Sequence, residues 1–309
     1  MSDVINQIYD KILKSILDLS PGAVTGLMNG LFDESFPLDS EVIRTATETV
    51  INGKKAMSDK MLTVKTGDIS RRFHIDAEIS SDNKDIVIRV FDYGYRDALL
   101  YKTTGEDSIV LKFPQPKLIY LEHWGTAPDI VTLELDFWGQ SKATFIVPTM
   151  RFLDYSIEEL DKRHMVILLP LYLLKLRRKI VAAREKSPEA IKQYIPALKT
   201  LLNDDMLRTI ENNVDKGNIT HSDAHTLINL VDLLYNHLYG NIKEFKDEGV
   251  KGMLDDKLVL ASDFKVLEAK EEIARNFLAK GVSPEDVADA TKLPIENVRK
   301  LRPQEAYAV

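Results

Sequence analysis

Three carboxylates at regular spacing are the residues of this chain best suited to do chemistry. Asp76 and Glu78 lie two residues apart, so on a β-strand they share one face, while Ile75 and Ala77 face the other way. Asp59 stands on the preceding strand candidate. Clustered carboxylates repel one another, and a bound Mg²⁺ or Mn²⁺, which prefers hard oxygen ligands, removes that cost. The spacing predicts a metal site that activates water for attack on a phosphodiester, with a solvent-facing polar strand as the alternative.

The segments around these acids also resemble a known family. The stretch RFHIDAEI at 72–79 and the stretch VIRVFDY at 87–93 resemble the core of the recombination-promoting nuclease/transposase (Rpn) family. That family belongs to the PD-(D/E)XK nuclease superfamily, and its members show a His-Ile-Glu-x-Gln strand before an Ile-Arg-Met-Phe-x-Tyr helix. Further similar segments follow in the same order along most of the chain, at 117–121, 152–160, 168–174, 273–278 and 281–291.

The resemblance implies a role for each acid. Asp59 stands where the family has its first metal-binding Asp, and Asp76 replaces the family Glu, so metal binding by Asp59, Asp76 and the backbone carbonyl of Ala77 is expected. Glu78 replaces the family Gln, which itself substitutes for the superfamily Lys. A Lys would orient water and neutralise charge in the transition state, whereas Glu78 adds a negative charge. Glu78 is therefore either a third metal ligand or the mark of a site that has lost activity.

Four further side chains are accessory candidates near these acids. Lys65, on the strand face of Asp59, and Arg89, on the following helix, are candidates for a relocated cation. Glu48 on the preceding strand is a candidate outer acid, and His74 shares the face of Asp76 and is a candidate general base. For each of them a structural role is the alternative.

Positive charge is concentrated in one part of an otherwise acidic chain. The net charge is −7, yet residues 162–186 contain eight Lys and Arg against one Glu. Arg177, Arg178 and Lys179 are therefore predicted to contact DNA phosphates, with a solvated helix flank as the alternative. Two short helices predicted within 281–301 resemble a helix-turn-helix, for which a helical lid or a homodimer contact is the alternative.

The elements that must position these residues follow from periodicity. Alternating patterns and β-branched runs predict strands at 42–51, 59–65, 71–79, 117–123, 130–137 and 143–148, with a helix at 85–102. A capping box at Ser156–Glu159 opens a long helix that Pro170 should kink, and the rest of the chain is predicted to be helical. The expected fold is α/β: a PD-(D/E)XK-like mixed sheet flanked by helices over 1–155 and an all-α region over 156–309.

Composition excludes several classes of site. The chain has no Cys, which rules out disulfides, thiolate zinc sites and cysteine nucleophiles. Neither a phosphate-binding Gly loop nor a G-x-S-x-G elbow is present. The first residues lack the features of a signal peptide, and the most apolar stretch, 165–174, is shorter than a membrane span, so a cytoplasmic protein is expected. The acids and the resemblance to the Rpn family together imply two hypotheses: a Mg²⁺- or Mn²⁺-dependent DNA endonuclease linked to recombination or transposition, or a catalytically silent nuclease-like module that binds DNA or protein.

Overall fold

A six-stranded mixed sheet with flanking helices forms the first half of the molecule, which confirms the predicted α/β class. The computed structural model describes residues 2–51, 54–79, 82–122, 127–247 and 249–301. The strands of the sheet are β1 (Glu41–Ile51), β2 (Lys54–Thr66), β3 (Ile69–Glu78), β6 (Gln115–Tyr120), β7 (Ile130–Leu135) and β8 (Ala143–Arg151). Their order in the sheet is β1-β2-β3-β6-β8-β7, with β3, β6 and β8 parallel and the other neighbours antiparallel. Two short strands, β4 (Thr103–Thr104) and β5 (Ile109–Val110), pair separately.

Helices cover both faces of the sheet. The helix α3 (Ile86–Leu100) lies in the crossover between the parallel strands β3 and β6 and packs on one face, over a small core that includes Val90, Leu118 and Val147. The helices α1 (Ser2–Leu17) and α2 (Pro21–Phe32) contribute to a larger core on the other face, which receives Phe73 and Ile75 of β3. The predicted apolar face of β3 is therefore confirmed, and its polar face is covered by α3 instead of facing solvent.

The second half of the chain is helical and joins the same large core. Buried side chains before and after residue 155, from Tyr9 to Leu254, belong to one cluster. The helices are α4 (Ile157–Lys162), α5 (Leu174–Arg184), α6 (Pro188–Lys192), α7 (Ile195–Thr200), α8 (Arg208–Asp215), α9 (His221–Tyr239), α10 (Lys243–Asp247), α11 (Val250–Ala279), α12 (Pro284–Thr291) and α13 (Ile295–Lys300). None of the described helices has the length and apolar content that a membrane span needs.

The single kinked helix expected after the capping box is wrong. The capping box of Ser156 and Glu159 forms, but α4 ends at Lys162, and His164 adopts a left-handed backbone with φ of 58°. Residues 166–173 then form a fully buried 3-10 helix that contains Pro170, and α5 follows it. Proline lacks the N–H that a helix interior needs, and its ring clashes with the carbonyl of the preceding turn, so a continuous α-helix through Pro170 is disfavoured. The 3-10 segment separates α4 from α5.

Candidate functional site

The polar face of β3 is paired residue by residue with α3. Four residues of a helix rise about 6 Å and two residues of a strand about 6.6 Å, so every fourth residue of α3 meets every second residue of β3. This match lets charged and aromatic side chains pair along the whole interface. The three cross pairs are Arg89 with Asp76, Tyr93 with His74, and Asp97 with Arg72.

The pair of Asp76 and Arg89 forms the centre of what we call the carboxylate end, which consists of Asp76, Glu78 and Arg89. The Asp76 side chain is 2% exposed, and its Oδ2 lies 2.9 Å from the Nε of Arg89. The N–H of Ala77 donates to Oδ1 of the same carboxylate at 2.8 Å. The Nη2 of Arg89 also lies 3.5 Å from Oε2 of Glu78. The guanidinium of Arg89 therefore forms ion pairs with both acids that lie on this face of β3.

The ionisation of Arg89 reflects this arrangement. Burial alone would lower the pKa of its guanidinium, but the charge and hydrogen bond of Asp76, together with the charge of Glu78, raise that pKa above its ordinary value. Arg89 thus carries a full positive charge at every physiological pH. Arg89, the candidate for a relocated cation, thus lies beside Asp76, and that role stays a prediction.

The backbone of Asp59 lies in β2, and its side chain, like that of Glu48, is outside the described part of the structure. The β2–β3 register runs from Thr66 opposite Ile69 to Met61 opposite His74. In the described part of the structure the β2–β3 pairing stops at Met61, two residues from Asp59. The β1–β2 register shifts between Met61 and Ser58, and such irregularities redirect side chains near binding sites.

The other accessory candidates fall in different places. His74 is 1% exposed, and its ring lies 6.0 Å from that of Tyr93, between the two ion pairs of the interface. Lys65 is exposed and pairs in register with Ser70, six residues along β3 from Asp76. At about 3.3 Å per residue that separation is about 20 Å. The structure does not bring Lys65 to the carboxylate end.

The basic segment of α5 reaches the sheet near these acids. Nη1 of Arg177 lies 2.6 Å from Oε1 of Glu122, whose side chain is 5% exposed. The backbone N–H of Glu122 donates to the carbonyl of Ile79 at 2.8 Å, so this pair adjoins the carboxyl end of β3. Arg178 and Lys179 are exposed. The sequence did not single out Glu122, although an acid directly after the buried run at 118–121 is a signal that could have found it.

The opposite end of the α3–β3 interface was also missed by sequence reasoning. The Arg72 guanidinium donates to the Asp97 carboxylate and to the carbonyl of Lys112, and it stacks 4.0 Å over the ring of Tyr101. Asp97 is 2% exposed. Burial raises the pKa of Asp97, and the charge of Arg72 offsets only part of that rise. We call Arg72 and Asp97, together with the nearby cations Lys65, Arg71 and Lys112, the basic end.

The donors at the carboxylate end suit a hard cation. Asp76 and Glu78 offer carboxylate oxygens, and Ala77 between them offers a backbone carbonyl, which is the donor class of Mg²⁺ and Mn²⁺. Within the described residues no three His, Cys, Asp or Glu side chains come together as a metal-binding group. Asp59, whose side chain lies outside those residues, is the candidate third carboxylate that the resemblance to the Rpn family implies.

The predicted pair of short tail helices is present. They are α12 and α13, which pack on α11 through a small cluster of Ala274, Val287, Leu293 and Val298. Arg299 on α13 pairs with Glu285 on α12 at 3.0 Å. The resemblance to a helix-turn-helix therefore remains one of spacing.

Comparison of the chain with protein families, with curated proteins and with solved structures found no match.

Proposed function

We propose that this protein is a metal-dependent endonuclease that hydrolyses phosphodiester bonds of DNA, as the resemblance to the Rpn family implies. The observation that carries the proposal is the carboxylate end itself. A buried acid, Asp76, is fixed by Arg89, and a second acid, Glu78, lies within reach of the same guanidinium. Structural ion pairs of this kind are also common, so the resemblance and the geometry support the proposal together.

Each residue has a defined part in the proposed site. Asp76, the carbonyl of Ala77 and Asp59 would hold Mg²⁺ or Mn²⁺, which supplies an activated water and offsets negative charge on the phosphate. Arg89 holds the Asp76 carboxylate in one orientation through the 2.9 Å contact. With 41% of its side chain exposed, Arg89 is also accessible to a phosphate group. Arg89 supplies the positive charge that a Lys at the position of Glu78 supplies in the superfamily.

The second candidate function is a catalytically silent nuclease-like module that binds DNA or protein. One observation favours it: Arg89 already neutralises the buried Asp76 without a metal ion. In addition, Glu78 places a negative charge where the family has a neutral side chain. Such a site could retain the fold and lose the chemistry.

Cleavage of supercoiled plasmid separates the two candidates. Wild-type protein should nick the plasmid with Mg²⁺ or Mn²⁺ and not with EDTA. Loss of a group that only orients a metal ligand typically lowers activity about 10–100-fold. Asp76→Asn and Asp59→Asn should each lower the rate of plasmid cleavage by more than that. Asp136→Asn is the matched control, because Asp136 is 69% exposed and pairs only with Lys142 in the described part of the chain.

Calorimetric titration with Mg²⁺ completes the test. Wild-type protein should bind the ion, and Asp76→Asn should lose that binding while its circular dichroism spectrum stays native. Equal binding by both proteins would remove Asp76 from the site. A native wild type that binds DNA without cleaving it would establish the silent module.

A further inference from the structure

A cavity of about 410 Å³ lies at the basic end, between β2, β3 and the carboxyl end of α3. Four cations line it, together with the ring of Tyr101: Lys65, Arg71, Arg72 and Lys112. The other lining side chains are neutral, so the cavity wall contains no carboxylate. The whole chain carries a net charge of −7, so this is a local reversal of its charge.

Three of these cations are available to a ligand. Arg72 is committed to Asp97, Lys112 O and Tyr101. Lys65, Arg71 and Lys112 are exposed, and none of them forms an ion pair with another described residue. Like charges held together repel, and a bound anion relieves that repulsion. Arg and Lys side chains around an open cavity are the donors that recognise phosphate groups.

Lys65, Ser70 and Arg72 place the cavity on the same side of the sheet as the carboxylate end. Arg71, which by alternation belongs to the other face of β3, lines the cavity near the beginning of the strand. Arg72 and Asp76 are four residues apart on β3 and share a face, which places them about 13 Å apart along the strand. One strand of B-DNA rises about 3.4 Å per nucleotide, so this separation corresponds to about four nucleotides. A DNA molecule whose backbone reaches the carboxylate end is therefore long enough to reach the cavity as well.

We propose that this cavity binds phosphates of a DNA backbone, several nucleotides from the bond that the carboxylate end would cut. The inference rests on the proposed function for the identity of the polymer. It assigns the main electrostatic contact to Lys65, Arg71 and Lys112. Lys65, which lies too far from Asp76 to assist there, thus acts in DNA binding.

Fluorescence anisotropy with a labelled DNA duplex tests the proposal. Measurements in EDTA prevent metal-dependent cleavage, so binding is measured even if the chain is no nuclease. The test protein is the triple variant Lys65→Ala/Arg71→Ala/Lys112→Ala. It spares Arg72, so the buried Asp97 keeps its partner and the fold is retained. The matched control is Lys11→Ala/Lys243→Ala/Lys280→Ala, which removes three exposed lysines elsewhere.

Between about 50 and 200 mM salt, each lost phosphate contact should lower the slope of log affinity against log salt by about 0.9. The triple variant should therefore lose two to three units of slope, about 0.9 for each contact, and the control variant should match wild type. A slope unchanged in the triple variant overturns the proposal. Displacement of the duplex by equimolar inorganic pyrophosphate would also overturn it, because the site would then belong to a small phosphorylated ligand.

Failure of this inference is distinguishable from failure of the proposed function. A chain that needs the three cations for duplex binding but never nicks plasmid retains the DNA site and loses the nuclease assignment. A chain that nicks plasmid equally well with and without the three cations, and binds the duplex with an unchanged slope, retains the nuclease and loses this site.

Discussion

Both ends of the α3–β3 interface contain a buried ion pair, but the two ends have opposite net charges. Each end buries one carboxylate against one guanidinium: Asp76 against Arg89, and Asp97 against Arg72. At the carboxylate end the acid lies on the strand and the cation on the helix, and at the basic end the positions are exchanged. A buried charge is tolerated only when it is paired, and both ends obey that rule.

The difference lies in the charge that surrounds each pair. Glu78 adds a second acid beside Arg89, so the carboxylate end retains one formal negative charge among its three residues. The basic end retains three formal positive charges, because Lys65, Arg71 and Lys112 surround an already paired Arg72. The buried pairs hold the helix on the sheet. The excess negative charge at the carboxylate end attracts cations, and the excess positive charge at the basic end attracts anions.

The largest expected effect comes from Arg89→Leu, which breaks the pair at the carboxylate end. Asp76 stays buried without the guanidinium, and an uncompensated buried charge typically costs about 3–5 kcal/mol. Because Arg89 is 41% exposed, water already screens part of the pair, and we expect a loss of about 2–3 kcal/mol in the free energy of unfolding. Urea denaturation at neutral pH measures it.

Arg96→Leu on the same helix is the control for this change. Arg96 forms a partly exposed pair with Asp92 one turn away, and pairs that solvent screens contribute about 0–1 kcal/mol. The double variant Asp76→Asn/Arg89→Leu should recover part of the loss, because the charge left unpaired is removed with its partner. If Arg89→Leu costs no more than Arg96→Leu, the buried pair does not hold this end together.

A smaller effect is expected from Glu78→Gln, which alters the excess charge at the carboxylate end and keeps the side-chain shape. If the site cleaves DNA, loss of one negative charge beside the phosphate should raise the cleavage rate about tenfold, equivalent to about 1.4 kcal/mol. Steady-state plasmid nicking measures the change, and Glu134→Gln on the exposed side of β7 is the control. A lower rate in Glu78→Gln would instead identify Glu78 as a metal ligand.

Periodicity in the sequence correctly predicted which side chains lie on each face of β3. It did not predict which residues of neighbouring strands lie opposite each other. Alternation placed Phe73 and Ile75 on the core side of β3, and the structure confirms it. The same alternation put Lys65 on a candidate site face, but the antiparallel register sets Lys65 opposite Ser70, at the far end of the strand from Asp76. Parity determines only the side of a sheet, whereas register determines which residues meet across strands.

Contacts between elements distant in the sequence could not be predicted from local pattern. Arg177 meets Glu122 across 55 residues, because the buried 3-10 segment at 166–173 directs α5 toward the end of β6. The pairing of Arg72 with Asp97 depends on the position and orientation in which α3 packs against β3. Nothing in either segment alone encodes that orientation, so the basic end becomes visible only in three dimensions.

The smallest expected effect concerns the pH dependence of the pair at the basic end. Burial raises the pKa of Asp97 above its ordinary value of 3.8, and Arg72 offsets only part of this rise. The folded state therefore binds a proton here more tightly than the unfolded chain. Protonation of Asp97 therefore stabilises the folded state. This contribution is fully present below the pKa that Asp97 has in the unfolded chain, and it is lost as pH rises through the pKa that Asp97 has in the folded protein.

Asp97→Asn removes this titration and keeps an oxygen acceptor for Arg72, which also retains Tyr101 and the carbonyl of Lys112. The variant should differ from wild type by less than about 1 kcal/mol. The stability difference should move in favour of the variant as pH rises from about 3 to about 6, through the ordinary pKa of Asp and above it. Urea denaturation across that range measures the trend, and the control is Asp92→Asn on the same helix, where the acid is half-buried and pairs with Arg96. If the variant instead becomes less stable relative to wild type as pH rises, the attraction of Arg72 outweighs the effect of burial on the pKa of Asp97. The ion pair of Asp97 with Arg72 would then favour the charged carboxylate.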